Sequence, residues 1–394
     1  MVKSDWKQQT RLVHEGHNRS PHGETAEAMY LTSGYVYDSA EQAEARFREE
    51  DTGFIYSRFG NPTVRAFEER MIALEGTQDA RATATGMAAV TATMMSQLQA
   101  GDHIVAARAL FGSCRYVVET LMPKFGVACT LVDGRDIDAW KAAVRPETKV
   151  LFLETPSNPL LEIVDMQAVA DLAHENGARL VVDNVFATPI LQRPTDFGAD
   201  IVVYSATKHI DGQGRCLGGV ILGDQSFIQD ELANFLRQTG PSLSPFNAWV
   251  MLKALETLAL RVDAHCHNAE KVTELLVNHP QIERVYYPSH ASHPQHELAM
   301  KQMSRGGNLI AFDVKGGKAN AFKFANAMQI ALISNNLGDA KTLITHPATT
   351  THFKLDEAAK TELGITGGSM RVSIGLEDSD DLVHDFDQAL AQLA

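Results

Sequence analysis

Six short apolar runs constrain the fold of this chain more than any other feature. Residues 103–107, 127–132, 150–153, 180–182, 201–204 and 219–222 are short runs dominated by Val, Ile, Leu and Ala, and helical patterns such as 166–175 lie between them. Strands with few polar positions are buried on both faces, the condition of a mostly parallel sheet covered by helices. An α/β fold is therefore expected. In such a sheet ligands lie beyond the carboxyl ends of the strands, so the residues just after each run are where chemistry is expected.

Before the first run, residues 1–50 show little sustained apolar periodicity and lead into Thr52-Gly-Phe-Ile-Tyr-Ser-Arg-Phe-Gly-Asn-Pro62, read as an ordered loop. Val64, Phe67, Met71 and Leu74 then fall at helical spacing, with Gly76 as the stop, and a second helix is expected from Gly86 to Leu98. After Gly240-Pro241 a helical pattern over 246–260 leads into a smaller α+β region with strands at 308–314 and 369–374. The expected division is an arm over 1–60, an α/β domain over 61–258 and a C-terminal α+β domain over 259–394.

Composition excludes several functions. With 49 acidic against 35 basic residues the formal charge is −14, which repels a phosphate backbone, so nucleic acid is not an expected partner. No apolar stretch approaches the roughly 18 residues of a membrane helix, and Met1 to Thr10 lack a signal-peptide core. No membrane partner and a cytoplasmic location are expected. Cys114, Cys129, Cys216 and Cys266 show no CxxC pairing and read as reduced thiols. His265/His267 and His290, His293 and His296 match neither H-E-x-x-H nor a finger spacing, so no metal is expected.

The chemistry sits after the strands. Asp183 follows the run 180–182, and a carboxylate delivered from a buried strand needs a positive partner. The run 201–204 is followed by Ser205-Ala-Thr-Lys208, two hydroxyls and a lysine whose amine, if desolvated, is freed to attack an aldehyde. Another run ends at Glu154, before Thr155-Pro-Ser-Asn158-Pro159. Upstream, Thr85-Gly86-Met87-Ala88 opens a helix, whose free N–H groups bind phosphate. Singly, these would read as an ion pair, a surface lysine and a helix cap. Together, with Ser205 and Thr207 completing a phosphate cup, they fit pyridoxal 5'-phosphate.

At these residues the chain resembles the Cys/Met-metabolism family of fold-type-I pyridoxal-phosphate enzymes, from Tyr56-Ser-Arg58-Phe-Gly-Asn-Pro-Thr63 to Ser369-Met-Arg371-Val-Ser-Ile-Gly375. The resemblance implies that Lys208 is the Schiff-base lysine, Asp183 the partner of the pyridine nitrogen and Asn158 a contact to the ring 3-oxygen. It gives Gly86, Met87, Ser205 and Thr207 to the phosphate, and Arg371 to the substrate α-carboxylate, a task suited to a bidentate fork. Tyr56 and Arg58 would reach the phosphate of a neighbouring subunit, implying a homo-oligomer, a homotetramer built from dimers that share active sites.

One departure matters. Where many relatives carry a ring-stacking tyrosine in a Tyr-Gly-Gly context, this chain has Leu110-Phe111-Gly112-Ser113-Cys114; Phe111 stacks but has no hydroxyl to move a proton. The stretch Ser334-Asn-Asn336-Leu-Gly-Asp339-Ala-Lys341 differs from the Ser-Leu-Gly-Gly pattern of many lyases and γ-synthases and resembles the sulfhydrylases, with Asn336 as a substrate-binding residue. The implied reaction is a γ-replacement, O-succinyl-L-homoserine and sulfide giving L-homocysteine and succinate, as in methionine biosynthesis; the O-acetylhomoserine enzymes usually carry segments that this chain lacks. Alternatives are a cystathionine γ-synthase or a methionine or cystathionine γ-lyase. Two further readings come from other classes. Tyr204-Ser-Ala-Thr-Lys208 also satisfies the Y-x-x-x-K of short-chain dehydrogenases, but no G-x-G-x-x-G follows a first strand. A cofactor-free scaffold would have no need of Asp183, Lys208 and Arg371 together.

Overall fold

The computed structural model describes residues 6–393, so the first half of the polar start Met1 to Thr10 and the first five residues of the expected arm lie outside the described residues. Seven strands, β1 (Asp79–Thr83), β2 (His103–Ala107), β3 (Ala128–Val132), β4 (Thr148–Glu154), β5 (Arg179–Asp183), β6 (Ile201–Tyr204) and β7 (Gly219–Gly223), form a sheet of order β1-β7-β6-β5-β4-β2-β3. β3, β2, β4 and β5 pair in parallel, while β1 is antiparallel to β7. The expected mostly parallel central sheet with helices, joined by a smaller C-terminal sheet, is the fold observed. The chain divides into two compact units: residues up to Gln97 with Val203–Thr207 and Arg215–Thr257, and Leu98–Val202 with Lys208–Gly214 and all that follows Leu258.

In the first unit the helix Pro62–Glu75 forms where its caps dictate. The Asn61 side chain accepts the N–H groups of Thr63 and Val64, Pro62 opens the first turn, and Gly76 closes the last one at φ 83°, a left-handed conformation that disfavours other residues. Phe67, Met71 and Leu74 turn into the core as their spacing predicts. Arg70 is also buried, paired with Glu27 at 2.6 Å, and Lys253 binds the other oxygen of Glu27 at 3.0 Å, fastening the N-terminal stretch to this unit. That stretch holds two helices that weak periodicity does not announce, Gln8–His14 and Ala40–Phe47. Strand β1, Asp-Ala-Arg-Ala-Thr, is likewise not an apolar run; Arg65 neutralises Asp79 at 2.7 Å and Glu68 accepts the Ala82 N–H, which makes a polar strand tolerable inside.

The runs become strands that are largely buried end to end, β3 excepted, and in the second unit Met166–Glu175 is a helix with Asp165 capping it. The pattern over 246–260 is in fact two helices, Pro245–Leu255 and Leu258–Asn278, because apolar spacing continues across the turn at Glu256 and Thr257. The smaller sheet contains β8 (Ile282–Tyr286), β9 (Leu309–Val314), β10 (Leu332–Ile333), β11 (Leu343–Thr345) and β12 (Ser369–Ser373), in the order β10-β11-β12-β9-β8. On β12, Met370 and Val372 enter the apolar core with Ile310, Phe312 and Phe324, so the period of two turns Arg371 to the opposite face.

Candidate active site

Parallel register places two acids side by side at the carboxyl ends of β4 and β5, Glu154 opposite Asp183. Asp183 accepts the Val185 N–H at 3.1 Å and lies 4.0 Å from the Cys114 sulfur. Burial pushes its pKa up to about 7. A cation at its free face would draw that value down again, and a protonated pyridine nitrogen is such a cation. Glu154 accepts the Phe111 N–H at 2.8 Å, and burial with the neighbouring Asp183 drives its pKa well above the carboxyl range.

Lys208 is brought down to about 8, chiefly by burial and then by the positive charge of Arg371, so that a substantial fraction is free amine at neutral to slightly alkaline pH. Its Nζ donates to the Asn336 side-chain oxygen. Asn336, expected at the substrate, is therefore placed on the lysine. Arg371 is 2% exposed; its guanidinium donates to the Asn158 oxygen at 2.8 Å and to the Asn335 carbonyl at 3.0 Å, and its buried Nε has no hydrogen-bond partner among the described residues. Burial lowers it to about 10. A desolvated guanidinium with a vacant donor is the group to which a small carboxylate is most valuable.

The residue after Lys208 is locked. His209 is buried, its Nε2 meets the Asn308 side chain at 2.8 Å, and Arg261 donates to its carbonyl at 2.7 Å. Gly338, at φ 70°, passes so close that a Cβ there would lie 2.6 Å from the His209 nitrogen. Burial takes His209 down to about 4, so the ring is neutral near pH 7. Glu154, Cys114 and His209 were not among the residues expected from sequence; Glu154 carried the same signal as Asp183, an acid closing an apolar run.

In the first unit, Thr85 caps the helix Gly86–Gln97 by accepting the Ala88 N–H at 3.0 Å. Gly86 meets Ser205 so closely that a Cβ would lie 2.4 Å from the serine Cβ, which places the Ser205 hydroxyl at the helix start beside Gly86. The Thr207 hydroxyl accepts the Gly218 N–H at 3.1 Å and donates to the Gly218 carbonyl at 3.2 Å. Tyr56 is exposed, and the Arg58 guanidinium lies over the rings of Tyr56 and Phe59 at 5.5 and 4.9 Å. Arg58 also lines a cavity of about 680 Å³ with Arg46, Arg65, Arg81 and Arg237.

Other readings lose their support. Tyr204, the tyrosine of Y-x-x-x-K, is buried and its hydroxyl donates to Glu75 at 2.5 Å, committed to the core rather than to a nicotinamide site. His265 and His293 each bind a main-chain carbonyl, Ile374 and Leu161. No helix among the described residues is long and apolar enough to cross a membrane.

In the second unit a buried acid, a desolvated lysine and an arginine with an unused donor suit the ring and aldehyde of pyridoxal phosphate, in the first a glycine-opened helix against a serine suits its phosphate, and with a mostly parallel sheet these are the features of a fold-type-I pyridoxal-phosphate enzyme. The chain belongs to the family described as Cys/Met metabolism PLP-dependent enzymes, whose model matches residues 9–391. It is 51% identical over 390 residues to an O-succinylhomoserine sulfhydrylase of Mycobacterium tuberculosis (98% of this chain, 96% of that one) and 49% identical over 384 residues to one of Pseudomonas aeruginosa (98% and 95%). An L-methionine gamma-lyase of Fusobacterium nucleatum is 41% identical over 391 residues, covering 98% of each chain. Among solved structures, metB from Corynebacterium glutamicum superposes with a TM-score of 0.93 at 35% identity over the whole of both chains. A Campylobacter jejuni protein described as an O-acetylhomoserine (thiol)-lyase, carrying a pyridoxyl-lysine-phosphate, does so at 0.94 and 32% identity, over 98% of this chain and 100% of that one.

Proposed function

We propose that this enzyme catalyses γ-replacement on O-succinyl-L-homoserine, with sulfide entering and succinate leaving to give L-homocysteine. The single observation that carries cofactor chemistry on an amino acid is the pairing of a half-buried lysine of lowered basicity with a buried arginine whose Nε is unused. Replacement by sulfide is favoured by the two sulfhydrylases at about half identity and by Asn336, Asp339 and Lys341 in place of the lyase-like pattern; the succinyl ester is favoured by those same two relatives and by the segments of the O-acetylhomoserine enzymes that this chain lacks.

Bound pyridoxal phosphate supplies an electron sink for charge developing on the amino-acid carbons. Arg371 holds the α-carboxylate through its two-pronged fork and so orients the Cα–H bond. Lys208 takes and returns protons at Cα and Cβ, a role its lowered pKa fits at near-neutral pH. Asn336 steadies that amine between transfers. Asp183 keeps the pyridine nitrogen protonated, Asn158 meets the ring oxygen, and Gly86, Met87, Ser205 and Thr207 hold the phosphate. Phe111 covers the ring but moves no proton, leaving proton traffic to Lys208. Tyr56 and Arg58 serve a neighbouring subunit's phosphate, so the working unit is a homo-oligomer, two shared-site dimers forming a tetramer.

With O-succinylhomoserine and saturating sulfide, homocysteine should form much faster than 2-oxobutanoate. The product ratio at matched turnover, run beside O-acetylhomoserine, cystathionine and methionine, tests this. Mainly 2-oxobutanoate would replace the proposal with a γ-lyase, and a preference for cysteine over sulfide with a cystathionine synthase.

A further inference from the structure

Glu154 has no part in the roles above, yet it touches several of the residues that have one. It is 3% exposed at the end of β4, in register with Asp183. Its Oε2 accepts the N–H of Phe111 at 2.8 Å, and the Asn158 main chain and the Arg371 charge both bear on the same carboxyl. Phe111 lies outside every strand, at φ −53° and ψ 135° just before the short helix Gly112–Tyr116, so no ladder fixes its main chain. A side chain from the rigid sheet does so instead.

We propose that Glu154 is a positioning residue, whose side-chain oxygen, through the Phe111 N–H, sets the height and tilt of the Phe111 ring over the cofactor and acts as an acceptor rather than as a charge. The neutral form follows from the neighbourhood. Two buried carboxyls side by side do not both ionise cheaply, and Asp183 would have a cationic partner in the pyridine nitrogen, whereas Glu154 is met by the main-chain donors of Phe111 and Asn158 and by the Arg371 charge. The proton rests on Glu154 and the charge on Asp183. A protonated carboxyl keeps its carbonyl oxygen as an acceptor for Phe111.

This inference rests on Phe111 facing the cofactor ring and is independent of the substrate. The test compares holoenzymes of Glu154→Gln, Glu154→Asp and Phe111→Ala with wild type, by visible circular dichroism of the cofactor band and by the dissociation constant for pyridoxal phosphate. Gln keeps a neutral oxygen at the same reach; Asp keeps the acid but stops a methylene short. Gln should retain the wild-type band and bind cofactor within about twofold, while Asp should alter the band and weaken binding about tenfold, the effect of one lost buried hydrogen bond. Phe111→Ala should resemble Asp. The reverse ranking, with Asp intact and Gln impaired, makes Glu154 a needed charge and overturns the proposal, as does wild-type behaviour of both. An unaltered band in Phe111→Ala overturns the stacking assignment and the proposal with it. Should Asp not fold, an intact Gln beside an altered Phe111→Ala supports the proposal and an impaired Gln ends it.

Discussion

Lys208 owes its lowered basicity to its surroundings. Burial removes water from the ammonium and the Arg371 guanidinium adds a like charge, and both favour the free amine, at a pKa of about 8. Cofactor uptake by the apoenzyme, which needs that free amine, should therefore rise with pH through about 8, followed by the growth of the visible band. Arg371→Gln removes the opposing charge and should move the midpoint upward. A wild-type midpoint near 10.5, the value of an ordinary lysine, would refute the desolvation argument. Lys208→Ala should abolish both the band and turnover.

At the scale of elements, Glu154 and Asp183 close β4 and β5 and Lys208 follows β6, because an unpaired charge is costly in the interior of a buried strand. This is why apolar runs pointed to Asp183 and Lys208 as candidates. Strand β1 and the helix break at Glu256 escaped the same reasoning for opposite reasons: Asp79 is made tolerable by Arg65 from elsewhere in the chain, and the apolar spacing of the two helices is continuous across their junction. In the proposed phosphate cup, the start of the helix Gly86–Gln97 has a tight geometry. Gly86→Ala would press a methyl to 2.4 Å from the Ser205 Cβ, and the displacement, costing about 1–3 kcal/mol as overpacking does, should fall on cofactor affinity. Equilibrium dialysis of pyridoxal phosphate against the variant checks this, and affinity equal to wild type would show that the helix start does not hold the phosphate.

For the whole molecule, the proposed sharing of active sites has a direct consequence. Arg58 is exposed, stacked on Tyr56 and Phe59 at the edge of an arginine-lined cavity, and Arg58→Ala should loosen the cofactor without unfolding the first unit. Mixed with Lys208→Ala under confirmed subunit exchange, it should regain part of the wild-type activity, because one hybrid site would then carry neither substitution. No recovery in exchanged hybrids would mean that each subunit completes its own site.

By itself the sequence determined the α/β class and the positions of the central strands other than β1, and it pointed to the lysine, acid and glycine-opened helix that suit the cofactor, because these depend on local period and on what a buried strand excludes. Tertiary structure alone decided how those groups are tuned. The register of β4 against β5 set Glu154 beside Asp183, the alternation of β12 turned Arg371 away from the apolar core toward Asn158, and a loop far along the chain brought Asn336 to Lys208. Desolvation and neighbouring charge are properties of three-dimensional packing, and neither is written in the spacing of residues along a chain.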